Sequence, residues 1–182
     1  PTTRYVGRDV PARIQAADQS QLNLQPAHWP LAFMLVLTQI GLGLSIASLF
    51  TSTLHAVMGA LFFNAGMVAA TLHLGQPLKA WRFFLGLKTS WLSREILAFF
   101  LLAPIPLLLA ALPFLPEFPL KDLVSFASKI SLIPLAALAI FTSAMIYHDT
   151  RRVLWNLRKT LPNFLLTATA ASILFISPNI FV

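Results

Sequence analysis

Proton-transfer chemistry in this chain has few residues to draw on. Four histidines and six carboxylates are present among 182 residues, and there is no cysteine. Without cysteine there is no disulfide framework, no thiolate-held zinc or iron–sulfur cluster and no Cys nucleophile. No metal site is expected. The most suggestive pair is His73 and Glu95, at the two ends of HLGQPLKAWRFFLGLKTSWLSREI, residues 73–96. A histidine can take a proton near neutral pH, and a carboxylate can relay one. The same two residues have a plainer reading as dipole complements, an imidazolium at a helix C-terminus and an anion in the first turn of the next helix. His28, His148 and Asp149 form a second rank of candidates. His148 and Asp149, followed by Arg151 and Arg152, read first as a helix end with a stop-transfer cluster.

The elements that must position these residues are transmembrane helices. Hydrophobic residues make up 57% of the chain, charged residues 10%, and mean hydropathy is +0.76, well beyond the balance of a soluble domain. Five stretches are long and apolar enough to span a bilayer: Pro30–Phe50, Leu54–Leu74, Trp91–Leu112, Leu123–Tyr147 and Leu161–Val182. They are apolar all round, unlike the alternating strands of a barrel. Backbone groups in hydrocarbon must be satisfied internally. The expected fold is therefore all-α, a polytopic transmembrane helix bundle of five spans over 30–182. Residues 1–29 form a polar linker with no apolar core, so no secretory signal is expected there. The chain starts at Pro1 and stops inside an apolar run, which reads as part of something longer. No internal repeat or low-complexity tract is visible.

Within the spans, Gly41, Gly43, Gly59 and Gly66 mark close helix packing, and Gln39 and Asn64 should face protein, hydrogen-bonding between helices. Pro104 and Pro106 should kink the third span and Pro134 the fourth. Trp81, Phe83 and Phe84 with Lys79, Arg82 and Lys88 suit a membrane interface.

Five spans place the N-terminal segment and the 2–3 and 4–5 loops on one face, side A. It carries 11 of the 13 basic residues; Lys121 and Lys129 fall on the opposite side B. His28, His73, His148, Glu95 and Asp149 also fall on side A, and only His55 among the histidines on side B. The positive-inside rule makes side A cytoplasmic, and topology alone accounts for most of the charge.

The 73–96 string, with HWPLAFMLVLTQIGLG at 28–43, resembles the membrane anchor subunit of dimethyl sulfoxide reductase and its relatives. SAMIYHDTRR at 143–152 resembles the corresponding region of some members. The resemblance runs from about His28 to the end. It implies a multi-pass protein of the bacterial inner membrane, with more spans in the full anchor than the five here. It implies that menaquinol is oxidised near the membrane surface and electrons pass to an iron–sulfur subunit. That subunit feeds a molybdopterin catalytic subunit. It also implies that the anchor carries no haem and that the partner is exported, against the charge rule. The family's LHLG histidine falls on His73 and its acidic residue in S-x-E-I on Glu95; Arg94 stands where the family often has Asn. Lys79, Arg82, Arg151 and Arg152 would then face the docked partner, since a basic face attracts an acidic subunit or anionic lipid. Nucleic acid is not an expected partner. The opening PTTRYVGRDVP is similar to the tail after an iron–sulfur domain, so a fused iron–sulfur/anchor polypeptide is one expectation.

Two other functions compete. A haem b cytochrome needs paired axial histidines on different helices, and His73 with His148 could supply one pair. A transporter would show mid-span acids and repeated halves, and neither is seen.

Overall fold

A computed structural model describes residues 29–72, 77–150 and 155–176, and all the regular structure among them is helical. Six α-helices follow one another: α1 (Trp29–Ala47), α2 (Thr53–Leu72), α3 (Trp91–Leu102), α4 (Pro104–Ala111), α5 (Lys121–Asp149) and α6 (Leu157–Ile176). A 3-10 helix, Pro77–Gly86, lies between α2 and α3. Four segments are long and apolar enough to cross a membrane: α1, α2, Trp91–Phe114 (which joins α3 and α4) and α5. The fifth expected span is also a helix, α6, but its described part falls outside that set. Arg158, Lys159, Pro162 and Asn163 in its first two turns dilute its apolar character.

Close packing of α1 on α2 is built on glycine. A Cβ on Gly59 would sit 2.7 Å from the Ser45 amide nitrogen, and one on Gly66 would sit 2.8 Å from that of Thr38. Gly43 serves the α1–α6 contact in the same way, where its Cβ would lie 2.8 Å from the Ala171 Cβ. Lipid tails are as apolar as leucine, so burial alone does not drive helices together in a bilayer. Close backbone approach supplies the van der Waals contact instead. Ser172 reinforces the α1–α6 seam by donating from Oγ to the Gly43 carbonyl at 3.0 Å. The shared core contains Leu42, Phe63, Phe99, Leu102, Leu132 and Ile140. Phe63 and Phe99 stack at 6.0 Å. Phe50, Leu61, Phe100, Leu123, Phe126 and Ile130 point outward, as lipid-facing residues should.

The third span breaks at its proline. α3 ends at Leu102 and α4 starts at Pro104, with Ala103 between them. Below the break the chain changes partners: α3 packs on α5, whereas α4 packs on both α2 and α5. Pro134, by contrast, lies inside an α5 that is helical without interruption. Gln39 is buried, as expected. Asn64 is only half-buried, and its amide donates to the Ala60 carbonyl of its own helix at 2.8 Å. The expected interhelical bond is thus replaced by a local one, because that carbonyl lies within reach one turn back.

Candidate functional site

The turn into α3 is assembled by short-range polar contacts. The amides of Thr89 and Ser90 both donate to the Gly86 carbonyl. Ser90 then caps the helix, its Oγ accepting from the Ser93 amide at 3.4 Å. Gly86 packs closely here, since a Cβ would meet the Ser93 hydroxyl and make it turn aside. Arg94 closes the loop from the other side. Its Nε donates to the Leu87 carbonyl at 2.9 Å and its Nη2 to that of Lys88 at 2.8 Å. The guanidinium lies 4.2 Å above the Trp91 ring, and Trp91 meets Phe141 of α5 edge-on at 6.0 Å. Arg94 is therefore engaged with loop carbonyls and an aromatic face, and makes no ion pair with the neighbouring Glu95.

Glu95 lies on the fifth residue of α3, in its second turn and not its first. The cap is Ser90, so simple dipole complementation does not describe Glu95. Its side chain is 8% exposed and accepts a short hydrogen bond from the Ser143 hydroxyl on α5. Leaving a carboxylate away from water is costly unless it is hydrogen-bonded. Ser143 is the partner that satisfies it. Tyr147 lies one turn further along α5.

Glu95 also lines a cavity of about 230 Å³. Met34 of α1, Met67 and Thr71 of α2, and Leu92, Phe99 and Phe100 of α3 form much of its wall. The wall is almost wholly apolar, and among the described residues Glu95 is its one ionisable group. The cavity runs down α3 to Ala103, at the proline break. From Glu95 that is eight residues, or roughly 12 Å at about 1.5 Å of rise each.

His73 lies outside the described residues. Thr71, two residues earlier in the chain, lines the same cavity as Glu95. His28, Arg151 and Arg152 also lie outside the described residues. Lys79 is on the 3-10 helix, with its side chain outside the described part. Arg82 is exposed on that helix, beside exposed Trp81, Phe84 and Leu85. His148 and Asp149 are exposed at the end of α5, and the His148 Nδ1 accepts from the Leu157 amide at 3.3 Å. His148 thus ties α5 to α6. It is apart from the cavity wall, as is Asp149. No group of three or more potential metal-ligating side chains occurs among the described residues.

Sequence reasoning missed Ser143, Tyr147 and the cavity itself. Ser143 and Tyr147 stand four apart at the end of an apolar span, a spacing that puts two hydroxyls on one helix face. That was the available signal.

A bundle of apolar helices long enough to cross a membrane defines an integral membrane protein, with Glu95 buried beside an apolar cavity near the start of α3. The particular family follows from comparison with known proteins. The family model described as DMSO reductase anchor subunit (DmsC) matches residues 24–177, and the chain belongs to that family. No curated protein and no solved structure matches it. The chain is thus a membrane anchor subunit of a DMSO reductase complex, a role that implies catalytic and electron-transfer partner subunits.

Proposed function

We propose that this anchor oxidises a quinol, menaquinol by family resemblance, in the cavity between α1, α2 and α3. Electrons pass to an iron–sulfur subunit docked on side A and from there to a molybdopterin catalytic subunit. Those cofactors belong to the partners, in a complex of the bacterial inner membrane. The observation that carries this reading is Glu95, a buried carboxylate, hydrogen-bonded by Ser143, in the wall of an otherwise apolar cavity. Oxidising a quinol releases two protons with two electrons, so a base must stand where an apolar molecule can enter. Glu95 meets both conditions. The apolar wall down to Ala103 suits the ring and the start of its isoprenoid tail. Its apolar character supplies burial, and the one carboxylate supplies direction. His73, just beyond the cavity-lining Thr71, is the second base.

The docking role rests on the exposed Arg82 and Lys88 beside the α2–α3 turn, with Lys79, Arg151 and Arg152 on the same side by topology. Glu95→Gln keeps the shape and removes the base; His73→Arg keeps a cation but not a proton acceptor. Each should lower quinol-driven DMSO reduction by roughly 100-fold or more, the usual scale of a lost general base. Reduction driven by an artificial viologen donor should be unchanged. Wild-type quinol oxidation by both variants in fully assembled complex would refute the assignment.

A further inference from the structure

Glu95 can accept protons turnover after turnover only if each one leaves before the next quinol arrives. Its cavity neighbours are apolar apart from Thr71 of α2, and the polar group it touches lies on the other side of the carboxylate. There it meets Ser143, 4% exposed. The hydroxyls of Thr142 and Ser45 bond back to their own helix, to the Leu138 carbonyl at 2.9 Å and to that of Gly41 at 2.8 Å, while Ser172 reaches only a backbone carbonyl of another helix. Ser143 instead gives its proton to a residue 48 positions away. A serine oxygen donates once and accepts twice. It can therefore receive a proton from a protonated Glu95 while releasing its own.

The next hydroxyl toward side A on that face of α5 is Tyr147. It lies one turn on, and a long helical side chain leans toward the preceding turn. Its ring is half-buried, held edge-on by Trp155 at 5.2 Å and Phe164 at 5.7 Å. Immediately beyond it His148, Asp149 and Thr150 are exposed. Ser143 and Tyr147 thus stand one turn apart on α5, between the buried acid and the exposed end of the helix.

Building on the reading of Glu95 as the quinol's base, we propose that Ser143 positions Glu95 and, with Tyr147, relays its proton to side A. The quinol O–H bond breaks as the proton joins a Glu95 carboxylate oxygen, and the electron leaves for the iron–sulfur partner. The new Glu95 O–H then breaks toward Ser143 Oγ, while the proton of Ser143 passes to the Tyr147 hydroxyl oxygen. Tyr147 releases its own proton to water at side A. Each hydroxyl ends as it began, and Glu95 is a carboxylate again.

The test uses the assembled membrane-bound complex, with a short-chain naphthoquinol as donor and DMSO as acceptor. Ser143→Ala and Tyr147→Phe should each lower kcat roughly tenfold or more, leave KM for the naphthoquinol within about twofold, and raise the solvent deuterium isotope effect. Viologen-driven turnover should stay at the wild-type rate. Tyr147→Phe retains both ring contacts, so it reports on the hydroxyl even if Ser143→Ala disturbs assembly. If KM rises while kcat and the isotope effect hold, the two residues only shape the cavity and the relay is wrong. If both variants turn over normally while Glu95→Gln is inactive, the relay fails and the Glu95 assignment stands. If Glu95→Gln is itself fully active, the assignment falls and the relay with it.

Discussion

Arg94 offers a sharp separation of geometry from charge. It stands directly before the buried acid in the chain, and an electrostatic influence on Glu95 is the obvious reading. Its contacts point elsewhere: two loop carbonyls at 2.9 and 2.8 Å and the Trp91 ring at 4.2 Å. A hydrogen bond from a charged donor is worth about 1.5–3 kcal/mol when sheltered. The Leu87 bond is partly buried and takes the lower end of that range; the Lys88 bond is exposed and adds about 0.5 kcal/mol. Stacking on Trp91 contributes another ~0.5 kcal/mol. Arg94→Ala should therefore ease local opening of the loop by about 2.5 kcal/mol, roughly a 70-fold faster exchange of the Thr89 and Ser90 amides with deuterated solvent. Arg94→Lys keeps the charge but loses the planar fork that reaches two carbonyls at once, so it should resemble Ala and not the wild type. Hydrogen exchange read by mass spectrometry on a peptide covering 86–93 measures this. If Lys protects as well as Arg while Ala does not, charge and not geometry is what Arg94 supplies, and the reasoning fails.

Sidedness can be probed directly because the chain has no cysteine background. Single cysteines at Lys88 and Arg158 should react with an impermeant thiol reagent from one face and one at Lys121 from the other; reaction of all three from the same face would overturn the topology. The glycine seam makes a second expectation. Gly59→Val forces branched carbon against the Ser45 amide and should destabilise the bundle by about 1–3 kcal/mol, visible as lower thermal stability in detergent, whereas Ala65→Val on the exposed face of the same helix should be neutral.

Helical class and span order were legible because they follow from hydropathy. The cavity was not. It depends on which helix packs against which, and runs that are apolar all round carry little periodicity to say so. Glu95 was visible as an acid near a helix start, yet its partner lay on another helix 48 residues away. Ser143 looked like any small polar residue at the end of an apolar run. The difference is orientation: Ser143 faces α3, while the neighbouring Thr142 bonds back to its own helix. The expected Asn64 bond failed for a related reason, since a polar side chain in a span takes a nearby carbonyl of its own helix when one is within reach.

The proline break explains why a cavity exists beside Glu95 at all. A straight third span would keep a single set of neighbours along its length. Instead α3 leans on α5, which brings Glu95 against Ser143, and after Ala103 the chain packs as α4 against α2 as well. Above the break, α2 and α3 are held by different neighbours, α1 and α5. The space left between α1, α2 and α3 is the cavity, and it ends at Ala103, where α4 begins. Pro104 can begin a helix without penalty because its missing N–H falls among the unpaired amides of a first turn. The same residue would cost about 3 kcal/mol in an unbroken helix. One break thus marks the depth of the apolar chamber, while above it α3 packs on α5 and brings Glu95 to Ser143, so the proposed binding and proton handling would share one structural origin.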